Sequence, residues 1–80
     1  MYVDIKDKEK RKTFLYFLEG KGYESFHFTR EHIVDGKLPF DVNFNTKKFT
    51  MVGNVTCAAA IKKEDLITID EAINIINSRK

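Results

Sequence analysis

Eighty residues, 42% hydrophobic, 12% aromatic and 32% charged, are enough for one core and no more, since a chain this short buries only about two-thirds of the surface it exposes when unfolded. Fourteen basic residues against 12 acidic ones leave a formal charge of +2, too balanced to announce a nucleic-acid partner by electrostatics alone. Cys57 is the single cysteine, which excludes an intramolecular disulfide, and the Lys- and Asp-rich start has no apolar region of the secretory kind. A reducing, cytoplasmic setting without membrane association is therefore expected.

No repeat or low-complexity tract interrupts the chain, and the one proline and four glycines are spaced as punctuation, so residues 1–80 read as a single domain. Tyr2 to Lys6 alternates with Val3 and Ile5 on one side, the period of a half-buried strand. Asp7 then caps a helix from Lys8 to about Glu19, whose apolar stripe is Phe14, Leu15, Phe17 and Leu18 and whose exit lies at Gly20 or Gly22. From Tyr23 to Arg30 the pattern alternates again, which places Phe26 and Phe28 inside and Tyr23, Ser25, His27 and Thr29 outside. Residues 29–36 fit a bulge, a turn of helix or the end of that strand, because Ile33 breaks the parity of the two phenylalanines.

Leu38 to Phe44 alternates strictly, with Pro39 suited to a strand's beginning, and Lys48 to Val52 returns after a turn at Asn45-Thr46-Lys47. Asn54 is a good N-cap for a short helix through Val55, Ala58, Ala59 and Ile61, whose small alanines suit close approach to the sheet. Thr68-Ile69-Asp70-Glu71 has the form of a capping box, followed by Ala72, Ile73 and Ile76 at helical spacing, with Arg79 and Lys80 at the negative end of the dipole. The expected fold is a two-layer α+β domain of order β-α-β-β-β-α-α. Its four-stranded, mainly antiparallel sheet carries the helices on one face, against a wall of Val3, Phe26, Phe28, Phe40, Val42 and Phe49.

The same parities leave Tyr2, Tyr23, His27, Asp41, Asn43 and Thr50 on the sheet's other, polar face. Aromatic side chains in such a setting anchor protein interfaces or stack unpaired bases. Gly53, Asn54 and Thr56 form a glycine-to-helix turn, where free amides suit an anion, although an ordinary strand-to-helix turn explains the same residues. Lys8, Lys10, Arg11 and Lys12 are the one local basic excess, read first as the solvated turns of a helix and alternatively as phosphate contacts for nucleic acid. His27, His32 and Cys57 lack the close-spaced pairs of a zinc site, and Cys57 reads as a small buried hydrophobe. No nucleophile elbow, P-loop or dinucleotide fingerprint is present, so neither catalysis nor a cofactor is expected.

Residues Gly53-Asn54-Val55-Thr56-Cys57-Ala58-Ala59-Ala60, preceded by Leu38-Pro39-Phe40-Asp41-Val42 and a hairpin, resemble the small accessory proteins carried by phages and prophages of low-GC Gram-positive bacteria. That resemblance implies a mobile-element product that binds and redirects a host protein, such as a defence component. The expected function is thus a non-enzymatic protein-binding module, with a second copy joined through a strand edge as the simplest partner. The alternative is a nucleic-acid-binding regulator that uses the basic first helix and the sheet-face tyrosines.

Overall fold

A computed structural model describes residues 1–79. The chain runs β1 (Tyr2–Val3), α1 (Lys8–Gly20), β2 (Glu24–Ser25), α2 (Arg30–Asp35), β3 (Phe40–Asn43), β4 (Lys48–Met51), α3 (Val55–Ala59), a 3-10 turn (Lys63–Asp65), β5 (Leu66–Ile67) and α4 (Ile69–Ser78). The α+β class is as expected, but the sheet is five-stranded and mixed, in the order β2-β4-β3-β1-β5. Its centre is antiparallel, β1 to β3 and β3 to β4, while β5 joins β1 and β2 joins β4 in parallel. No described helix is long and apolar enough to cross a membrane.

The antiparallel hairpin is the most regular part, as its alternation requires. Phe40 and Val42 on β3 and Phe49 and Met51 on β4 enter the core, while Asp41 and Thr50 point to the other face. The Asn43 side chain closes the turn by accepting from the amides of Asn45 and Thr46 at 2.9 and 3.2 Å, and Lys47 takes a left-handed conformation (φ 54°) before β4 begins. The strand β5 had no signal in the sequence beyond two apolar residues. It is held by a bond from the Asp4 amide to the Ile67 carbonyl at 3.0 Å.

Helix α1 starts at Asp7, whose carboxylate accepts from the Glu9 amide. It ends at Gly22 (φ 90°), where the Gly22 amide donates to Glu19 and the Tyr23 amide to Leu18. This pair of bonds is a Schellman motif, in which the residue after the left-handed glycine folds back onto the last turn. Tyr23 occupies that position and is consequently buried, only 6% exposed, rather than on the polar face. Burying Tyr23 inverts the parity of the next residues: Phe26, expected in the core, is 36% exposed on the opposite face. Residues 30–35 resolve into α2, capped by the Thr29 hydroxyl on the His32 amide, which carries Ile33 into the core.

Arg11 is the second departure, since the solvated-helix and phosphate-contact readings both required it outside. It is completely buried. Its Nε and Nη2 donate to the Ile33 carbonyl at 2.9 and 2.6 Å, and its Nη1 donates to the carbonyls of Ile5 and Leu38 at 2.7 and 2.8 Å. Its guanidinium also lies 4.7 Å from the Phe40 ring centroid. Ile33 is in the last turn of α2, where carbonyls lack helical partners and the dipole is negative. Arg11 therefore joins α1, the end of α2 and the segments flanking β1 and β3 through one side chain. Burial pushes its pKa down to about 10, against the opposing attraction of Asp4, so the group stays charged at neutral pH.

Helices α1, α2 and α4 cover the core face, α4 behind the expected capping box, in which Thr68 and Glu71 exchange bonds at 3.2 Å. Helix α3 departs from the expected arrangement of all helices on one face. It buries no residue, and Val55 is 73% exposed.

Candidate functional site

The face of the sheet away from α1, α2 and α4 carries a cleft of about 540 Å³, within the range of small-ligand and anchor pockets. Strand register builds its floor. Leu66 pairs with Tyr2, Tyr2 with Asp41, and Asp41 with Thr50, so these residues form one row across β5, β1, β3 and β4. Phe26 continues the row beyond the Ser25–Phe49 pair, held by a bond from its amide to the Phe49 carbonyl at 3.0 Å. Tyr2, Asp41, Thr50 and Phe26 all line the cleft; His27 and Phe28 wall it on one side, and Gly53, Cys57 and Ile61 on the other. The small residues of α3 thus border the cleft instead of the core.

Two features on this surface are costly to the free chain. Thr50 is 7% exposed, and its hydroxyl oxygen is buried without a hydrogen-bond partner, a state that costs about 1–3 kcal/mol. His27 has φ 66°, and the Phe28 amide bonds back to the Phe26 carbonyl at 2.8 Å, making a γ-turn centred on His27. A left-handed γ-turn at a non-glycine residue is strained. Its effect is to end β2 abruptly, leaving the Phe26 ring 4.9 Å from the His27 ring, while Phe28 stacks on His32 at 4.8 Å. Asp41 is the only acidic side chain lining the cleft, and among the described residues no ion pair engages it.

Of the six side chains expected on the polar face, the structure brings Tyr2, His27, Asp41 and Thr50 together. Tyr23 is in the core, and Asn43 turns into the hairpin loop. Phe26 was missed by alternation, and its signal was Gly22: a glycine C-cap to α1 favours an apolar residue immediately after it, at position 23, packed back on the helix. Cys57 is exposed at the cleft's edge rather than buried. Among the described residues no three His, Cys, Asp or Glu side chains gather as ligands for a metal ion.

The Asn54 side chain caps α3 by accepting from the Cys57 amide at 2.8 Å. The residues singled out for an anion, Gly53, Asn54 and Thr56, therefore form the ordinary strand-to-helix turn, with one of its amides already occupied. The basic first helix is also less available than its sequence suggests. Arg11 is withdrawn into the core, and Lys8 pairs with Asp35 at 2.9 Å, which together with its neighbours raises the Lys8 pKa. Lys10 and Lys12 stay exposed, Lys12 beside a groove of about 380 Å³ between α1 and α2 where Glu9, Glu31 and Asp35 balance Lys8, Lys12 and Arg30. The groove thus offers a phosphate backbone no excess of positive charge. No protein-family model, no curated protein and no solved structure matches the chain.

Proposed function

We propose that this chain is a non-enzymatic protein-binding module that receives a segment of its partner on the uncovered face of the sheet. The observation that carries this reading is a cleft of about 540 Å³ on that face, which holds a carboxylate without an ion pair, Asp41, beside a phenylalanine ring, Phe26, that is one-third exposed. An aromatic anchor beside desolvated polar groups is the composition of interface hot spots. With one formal charge in the cleft, that of Asp41, the contacting side chains of the partner are apolar and basic. The phage resemblance of residues 38–61 supports a mobile-element modulator of a host protein as the biological form of this activity.

Phe26→Asp tests the reading, because it places a second negative charge on the face without disturbing the core. The affinity-tagged chain is expected to retain a host protein reproducibly, and Phe26→Asp to lose it while its circular dichroism spectrum at the assay temperature stays that of the folded parent. Equal retention by the two chains, or retention by neither, would refute a partner site on this face.

A further inference from the structure

Independently of the protein-binding reading, we propose that the end of the domain where α1, α4 and the β3–β4 hairpin meet binds a phosphate group, recognised through its terminal oxygens. A pocket of about 150 Å³ lies there, lined by Lys21, Tyr23, Phe44, Lys47, Ile76 and Arg79. Its three cations come from three elements: Lys21 follows α1, Arg79 follows α4, and Lys47 is in the hairpin turn. No acidic side chain lines the pocket, and among the described residues none of the three cations forms an ion pair. The acids nearest Lys21 in the chain are engaged elsewhere, Glu19 with Arg30 at 2.8 Å and Glu24 opposite Lys48 in the β2–β4 register.

Helix ends alone do not account for this cluster. A cation there suits the dipole, which is worth about half a negative charge at each C-terminus. The Leu18 and Glu19 carbonyls of α1 are already met by the Tyr23 and Gly22 amides, however, and Lys47 follows no helix. Three cations against two helix ends leave an excess of about two positive charges, close to the charge that a phosphate monoester carries at neutral pH.

Tyr23 supplies the independent observation. It is only 6% exposed, yet its hydroxyl has no hydrogen-bond partner among the described residues and is not sealed from solvent as the Thr50 hydroxyl is. Its open side is therefore the pocket that the residue lines. A hydroxyl donor among three cations suits a tetrahedral, doubly charged oxyanion better than a planar, singly charged carboxylate. The pocket is smaller than the roughly 300 Å³ at which ordinary small-ligand sites begin. The Phe44 ring is also engaged, by the Arg79 guanidinium 4.1 Å from its centroid and by the Tyr23 ring at 6.5 Å. The phosphate group is thus the recognised feature, without a stacked base.

The test is a nuclear magnetic resonance titration of the ¹⁵N-labelled full chain at fixed pH and ionic strength. Its arms are inorganic phosphate, phosphoserine blocked at both ends, the same blocked serine without phosphate, adenosine monophosphate, and sodium chloride. Saturable shifts are expected at Tyr23, Phe44, Lys47 and Arg79 with phosphate and phosphoserine, and none with serine or chloride. Phosphoserine bound about threefold or more tighter than inorganic phosphate assigns the group to a phosphorylated side chain, and equal affinity assigns it to free phosphate. Tyr23→Phe keeps the ring in the core and should weaken binding about fivefold, while Lys47→Gln and Arg79→Gln should each weaken it about threefold to tenfold. Lys10→Gln, on the exposed side of α1, should change it by less than about twofold.

Shifts that never saturate, the same shifts with chloride, an unchanged affinity in Tyr23→Phe, or a loss in Lys10→Gln as large as that in Lys47→Gln would overturn the proposal. Adenosine monophosphate bound more tightly than phosphoserine would also overturn it, by making the base part of what is recognised.

Discussion

Replacing Arg11 by methionine removes the charge and the fork while keeping a long side chain of similar reach. Four N–H···O bonds to three carbonyls are lost, and bonds from a charged donor contribute about 1.5–3 kcal/mol each. Against this, the variant no longer buries a cation; the depression of the Arg11 pKa to about 10 puts that relief at roughly 3 kcal/mol. The difference is a net loss of about 3 kcal/mol at the least, because the Ile33 and Ile5 carbonyls remain buried without partners. A domain of this size has a total stability of about 4–12 kcal/mol, and each kcal/mol moves its melting temperature by about 4–8 °C. Circular dichroism melts should therefore show Arg11→Met unfolding at least about 12 °C below the parent, with a matching fall in urea midpoint. Arg11→Lys, which retains charge but cannot serve Ile33, Ile5 and Leu38 together, should lie between them. A methionine variant that melts within about 3 °C of the parent would mean that the guanidinium merely occupies space.

The inverted parity around β2 predicts unequal outcomes at two aromatic positions, read as urea midpoints: Tyr23→Ala should cost about 3 kcal/mol or more by opening a core cavity, whereas Phe26→Ser, at a ring one-third exposed, should cost about 1–2 kcal/mol. Thr50→Val exchanges an orphaned hydroxyl for a methyl of the same shape and should stabilise the free chain by about 1 kcal/mol, read as a higher melting temperature; a lower one would show that the hydroxyl is satisfied in solution. His27→Gly should stabilise by about 1 kcal/mol by relieving the left-handed backbone, with Lys47→Gly in the hairpin as a comparison of the same kind, and calorimetry distinguishes a gain from the entropic loss glycine brings at an ordinary φ.

The parts legible from sequence were those in which local chemistry and tertiary packing agree. The β3–β4 hairpin follows from strict alternation, the start of α4 from the spacing of Thr68 and Glu71, and the ends of α1 from Asp7 and the glycines after Leu18. The strand β5 was hidden because two apolar residues after a charged turn have no period, and its pairing with β1 is decided by a parallel ladder far along the chain. Arg11 was misread for a related reason. Its neighbours Lys8, Lys10 and Lys12 are basic, which outweighed the spacing of positions 11, 14, 15 and 18, the i, i+3, i+4, i+7 stripe of one helix face; only the fold discloses that three carbonyls converge there.

The remaining misreading, at Tyr23 and Phe26, has a different physical origin and bears on function. Two rules apply to the same segment: alternation places Phe26 inside, and the Schellman exit from α1 places Tyr23 inside, and residues three apart on an extended chain cannot both be inward. The glycine cap prevails because it fixes two backbone bonds at the end of a thirteen-residue helix, whereas β2 is only two residues long. The cost of that outcome is a phenylalanine ring left one-third exposed and a strained turn at His27, both on the cleft wall beside the unsatisfied Thr50. A small domain has little stability to spare, and departures from local consistency tend to concentrate at functional sites. Three such departures lie around one cavity, whereas the buried charge of Arg11 on the core face has its donors met by carbonyls, and that concentration is the physical ground for placing the binding site there.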